Sequence, residues 1–130
     1  MNLSNKILTR DGVIELIEES YILFKVHDHI KKPQKERLPE IINAYEILCN
    51  GKKYPLMMIA NQIDRLDKEE EEIIRRTTSQ FFTSQAIVTK NKFTVMVINF
   101  AISLKKPSVP TKIFSNEEKA LEWLDQFIEK

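Results

Sequence analysis

The chain has 130 residues, a length that suits one domain with a single core, so the expectation is one domain spanning 1–130. Its 20 basic and 19 acidic residues leave a net charge of +1, which excludes a global electrostatic pull toward nucleic acid or an anionic membrane. With 42% hydrophobic and 30% charged residues the composition is that of a globular protein, and Cys49, the one cysteine, rules out an internal disulfide and a cysteine-based metal cluster.

The N-terminus, MNLSNKILTRDG, carries charge where a secretory signal needs its apolar core, so a cytoplasmic, reducing setting is expected. Val13 to Glu18 and Tyr21 to Val26 are rich in β-branched and aromatic residues on either side of a polar pair, which predicts a hairpin. His27-Asp28-His29 then leads into Lys31-Lys32-Pro33, with a helix expected soon after the proline and Lys31 to Pro39 reading as linker.

Leu38, Ile41, Ile42, Tyr45, Leu48 and Cys49 recur at spacings of three and four and predict a first amphipathic helix. Pro39 fits only in its first turn, and Asn50-Gly51 supplies a left-handed stop. Tyr54 to Ala60 is an apolar run without alternation, expected to be a central strand covered on both faces. Asp67 with Glu70 forms a capping-box pattern for a second helix, with Glu69 to Glu72 at its positive end and Ile73, Ile74, Thr77 and Phe81 as its buried stripe.

Ala86 to Thr89, within Ser84 to Lys90, predicts another central strand. Phe93 to Leu104 is apolar almost throughout; its length favours helix, and a helix there allows a parallel crossover to a short strand, Thr111 to Phe114, reached after Pro107 and Pro110. Ser115 with Glu118 reads as a second capping box, and Ala120, Leu121, Leu124, Phe127 and Ile128 as the stripe of a last helix.

The C-terminal order Asn99-Phe100, Leu104-Lys105-Lys106-Pro107, Pro110-Thr111, Phe114, Glu117-Glu118, Ala120-Leu121 and Trp123-Leu124 resembles the ending of the bacterial STAS/SEC14-like (SpoIIAA-like) domain proteins, over about residues 45–128. The resemblance implies an α/β fold: an N-terminal hairpin, then alternating strands and helices in a largely parallel sheet with about four helices. Relatives of that family include anti-sigma factor antagonists, switched by serine phosphorylation, and lipid-binding domains. The loop matching the antagonists' D-x-S motif is Asn61 to Asp67, which has no serine, and Ile59 or Ala60 stands where close relatives end the central strand in aspartate.

Chemistry-bearing residues point to bland roles. His27 and His29 lack further ligands, Cys49 falls on a buried stripe, and adjacent glutamates on a helix diverge rather than converge. Asp64, Asp67 and Glu117 have no nucleophile or histidine nearby in sequence, so neither an enzyme nor a cofactor or metal site is expected. The helix at Phe93 to Leu104 stands out, because apart from Thr94, Asn99 and Ser103 it is apolar all round, yet it is too short for the roughly twenty residues of a membrane span. Phe93, Met96, Val97, Phe100 and Leu104 are therefore the candidate surface. The expected partner is a second copy or another protein; the alternative is a lipid or other apolar small molecule in a pocket beside the helix.

Overall fold

The computed structural model describes residues 5–61, 64, 66–96, 98 and 107–129. Six strands form one mixed sheet in the order β1 (Lys6–Leu8), β2 (Gly12–Ile17), β3 (Tyr21–Val26), β4 (Tyr54–Ile59), β5 (Phe82–Val88) and β6 (Thr111–Phe114). The first three strands pair antiparallel, and β3 to β6 run parallel. The hairpin, the central strand and the parallel pairing of β5 with β6 match the sequence expectation, and β1 is an additional edge strand.

Helix α1 (Leu38–Cys49) places Pro39 in its first turn and ends at Asn50 with φ 47°, a left-handed conformation that asparagine tolerates. Residues 35–37 before it are turn, so the helix opens later than Pro33 suggested. Helix α2 (Lys68–Phe81) carries the reciprocal capping box: Glu70 N–H donates to Asp67 Oδ1 at 2.7 Å, and Asp67 N–H donates to Glu70 Oε1 at 2.9 Å. A third helix, α3, begins at residue 92; residues 92–96 and 98 are helical, while Val97 and residues 99–104 lie outside the described residues.

Three expectations are corrected. Strand β5 starts at Phe82, immediately after the last residue of α2, four residues before Ala86: Phe82 pairs with Tyr54 and packs into the α1/α2 core, and past a register shift Ser84 alternates with Ala86 and Val88 on the opposite face. Helix α4 (Glu117–Asp125) is capped by Asn116, whose Oδ1 accepts from Lys119 N–H at 2.8 Å, and not by Ser115: the helix starts one residue later and asparagine caps as well as serine. Its inward face is Ala120 and Leu124 with Trp123 beside them, Leu121 is exposed, and Phe127 and Ile128 follow the helix in a half-buried turn or just after it.

Alternation along the strands separates two cores. Ile22, Phe24 and Leu56 pack with α1 and with Phe81 at the end of α2, whereas Tyr21, Leu23 and Met57 pack toward Ala120 and Leu124 of α4. Helix α1 lies against β2 and α2, and α4 lies across β4, β5 and β6 on the opposite face.

Candidate functional site

Two cross-strand rows build the floor of a cavity. Register aligns Leu56 with Gln85 and Gln85 with Thr111, and, two residues further, Phe24 with Met58, Met58 with Ile87 and Ile87 with Ile113. All of these residues line one cavity of about 1190 Å³ on the α1/α2 face. Leu38, Ile41, Ile42 and Tyr45 of α1 and Ile74, Thr77 and Thr78 of α2 form its walls, and Ile98 and Pro107 line it from the α3 side.

The cavity arises from uneven cover. On the α4 face of β5, Ser84, Ala86 and Val88 are buried; on the opposite face, Gln85 and Ile87 are half-buried. The same shortfall leaves Ile73, Ile74 and Thr77 half-buried, so the stripe expected to seal α2 against the sheet is sealed only at Thr78, Phe81 and Glu70. Ligand cavities generally measure about 300 to 1,000 Å³, with mostly apolar walls and a few fixed polar groups. This one has a matching composition.

Its polar groups sort by depth. Gln85 Nε2 donates to Thr111 Oγ1 at 3.0 Å, and Thr111 Oγ1 donates to the Val109 carbonyl at 2.9 Å, so the floor's amide is anchored. Charged residues line the cavity at Lys31, Lys32, Asp64, Asp67, Lys68, Glu71, Glu72 and Arg75, with both signs interleaved. Lys32 is tied to Glu70 at 2.9 Å. Asp11 is buried in the cavity wall and paired with Arg37 Nε at 2.6 Å.

The predicted surface residues divide. Phe93 and Met96 are 68% and 61% exposed and lie one turn apart on α3, outside the cavity lining. Ile98, two residues beyond Met96 and thus about 200° around the helix, lines the cavity. Val97, Phe100 and Leu104 lie outside the described residues. His27 and His29 stack with ring centroids 5.9 Å apart at the exposed end of β3, and among the described residues no group of three or more possible ligands could hold a metal ion. Cys49 is buried and burial pushes its thiol up to about 11, as suits a small core residue.

From the sequence an apolar pocket beside α3 is only the alternative, and its floor is not foreseen: Met58 and Ile87 read as ordinary inward positions of well-covered strands, and Gln85, an amide at an inward position, is the available signal.

The model of a family described as a domain of unknown function, DUF7793, matches residues 16–128. The chain belongs to that family. The DUF7793 chain is similar to the crystal structure of an uncharacterised protein of the DUF3478 family with a SpoIIAA-like fold from Shewanella loihica, at 18% identity over 95% of this chain and 97% of that one, with a TM-score of 0.61. A protein of unknown function from an Arthrobacter species is similar at 16% identity over 92% of this chain and 97% of that one, with a TM-score of 0.29. No curated protein matches. The fold is SpoIIAA-like, as the C-terminal residue pattern implied. Among the described residues no helix is long and apolar enough to cross a membrane.

Proposed function

We propose that this DUF7793 domain is a non-enzymatic, STAS-like binding module that takes an apolar small molecule, a lipid or a compound of similar character, into the cavity on the α1/α2 face. The carrying observation is the cavity of about 1190 Å³ whose floor is the Phe24–Met58–Ile87–Ile113 row. An apolar space of that size is costly to leave empty, and an apolar ligand gains roughly 25 cal/mol for each Å² it buries there. The non-enzymatic part is supported by the lining, which among the described residues contains no histidine or cysteine, and by the engagement of Gln85 and Thr111 with one another.

Native mass spectrometry of protein purified from cells, followed by organic extraction, tests the reading. A co-purifying apolar adduct is expected, and Ile87→Trp, which fills the floor, is expected to abolish it while the far-ultraviolet circular dichroism stays unchanged. Wild-type protein that is adduct-free and takes up no alkyl ligand afterwards would overturn it.

A second reading, self-association through the outer face of α3, is supported by the exposure of Phe93 and Met96 on one side of the helix. Multi-angle light scattering across a hundredfold concentration range is its check: a concentration-dependent mass, lowered by Phe93→Glu with Met96→Glu, is expected. A monomer throughout refutes it without touching the cavity.

A further inference from the structure

Tyr45 on α1 is 4% exposed and lines the cavity. Its ring is fixed by three phenylalanines: edge-on to Phe82 at 4.8 Å and 87°, edge-on to Phe24 at 6.3 Å and 81°, and beside Phe81 at 5.9 Å. Phe24 and Phe82 share the cavity wall with it. Such packing fixes where the hydroxyl points, yet among the described residues that hydroxyl has no hydrogen-bond partner. The hydroxyl at the end of a buried tyrosine ring ordinarily finds a partner, and in a cavity wall a ligand can supply it. Burial also raises the phenol's pKa, so it remains a protonated donor.

The charges around the cavity narrow what that donor can meet. Asp11 is a buried carboxylate already matched by Arg37, and Lys32 is matched by Glu70. Among the described residues Lys31, Lys68 and Arg75 line the cavity together with Asp64, Asp67, Glu71 and Glu72, a set that offers no net positive field. A carboxylate carried into the aromatic end would lose its hydration and gain no counter-ion from the described residues there.

We propose that the Tyr45 hydroxyl anchors the ligand by donating a hydrogen bond to an uncharged oxygen, so that the cavity selects neutral alkyl alcohols, ketones or esters over the corresponding carboxylates. This rests on the cavity being a ligand site, and the test separates the two claims. Isothermal titration calorimetry of delipidated protein at pH 8 uses 1-decanol and decanoate as probes. The alcohol is expected to bind at least about tenfold more tightly, and Tyr45→Phe, which keeps the ring packing, is expected to cut the alcohol's affinity about tenfold and leave decanoate unchanged. Decanoate binding as tightly as the alcohol, or 1-decanol binding unaltered by Tyr45→Phe, overturns the anchor and leaves the cavity reading standing. Failure of both probes to bind wild-type protein overturns both. Thermal melting of Tyr45→Phe, expected to match wild type, confirms that any loss comes from the hydroxyl.

Discussion

Lys32 and Glu70 are 38 residues apart in sequence, and the lysine Nζ donates to Glu70 Oε1 at 2.9 Å. The same oxygen accepts from Asp67 N–H, so one carboxylate both caps α2 and ties that helix to the segment before α1 across the cavity rim. The Asp67 backbone N–H first, and then the Lys32 ammonium, hold the Glu70 carboxyl below its ordinary range. A depressed pKa stabilises the fold above the unfolded-state value, near 4.3, and that contribution disappears as pH falls through the folded value. Glu70→Ala is therefore expected to lower the urea midpoint at pH 7, with the gap to wild type narrowing as pH drops below about 4. A gap that stays constant from pH 7 to pH 3 would contradict it. Lys32 works in the opposite direction: its pKa is raised, first by the Glu70 side chain, so its contribution holds at neutral pH and is lost only as alkali deprotonates the ammonium.

Asp11 and Arg37 form the most buried ion pair of the described residues, with side chains 2% and 24% exposed and Arg37 Nε 2.6 Å from Asp11 Oδ1. Both atoms lack a well-angled hydrogen bond, so the contact is a charge pair of strained geometry. Removing one partner leaves the other charge poorly solvated, whereas replacing both with apolar groups removes the desolvation cost altogether. Arg37→Met alone is expected to destabilise by about 2 to 4 kcal/mol, somewhat under the figure for a fully buried pair because Arg37 keeps some solvent. Asp11→Leu with Arg37→Met is expected to recover most of that loss in chemical denaturation. Additive effects of the two changes would sink the prediction.

Elements specified by neighbouring residues were legible in the sequence: Pro39 and Asn50 bracket α1, Asp67 and Glu70 start α2, and the β-branched run Tyr21 to Val26 forms half of a hairpin. The misses have a common cause, which is that they depend on what packs where. Strand β1 is three residues long and carries too little pattern to stand out. Leu121 fits the helical stripe of α4 but is 39% exposed, since the contact face of that helix is centred on Ala120 and Leu124. The cavity is the clearest case. Leu56, Met58 and Ile87 would have the same sequence pattern beneath a full helical layer, and only the placement of α1 and α2 shows that the layer is incomplete.

Gly12 opens β2 opposite Val26, and a Cβ built on it would fall on the Lys25 carbonyl oxygen and press on Phe24 Cε1 at 2.9 Å. Backbone cannot retreat from such an overlap without opening the β2–β3 ladder, and Phe24 is also part of the cavity wall. Gly12→Ala is expected to cost about 3 kcal/mol or more, at the upper end for a point change, and to weaken ligand uptake alongside stability. Differential scanning calorimetry reads the first and decanol titration the second. A melting temperature within a degree or two of wild type would show that the strand is free to shift.

The turn between β2 and β3 is built from Glu18 and Glu19, with φ 48° and 55°, closed by Ser20 N–H donating to the Ile17 carbonyl at 2.7 Å. Two successive left-handed residues suit the right-handed twist of a hairpin, but each costs a side-chain-bearing residue about 1 kcal/mol or more that glycine and asparagine largely avoid. Glu18 and Glu19 are also adjacent carboxylates, and their mutual repulsion adds to that cost. Glu18→Asn with Glu19→Gly supplies the preferred residues for this turn and removes both carboxylates. The pair is expected to stabilise the protein by about 1 to 2 kcal/mol, with the gain reduced in high salt only by the share due to charge. Guanidinium and urea midpoints measured together make that separation, because guanidinium chloride screens the carboxylates and urea does not. A double variant no more stable than wild type in either denaturant would mean that the positive φ values carry no cost in this turn.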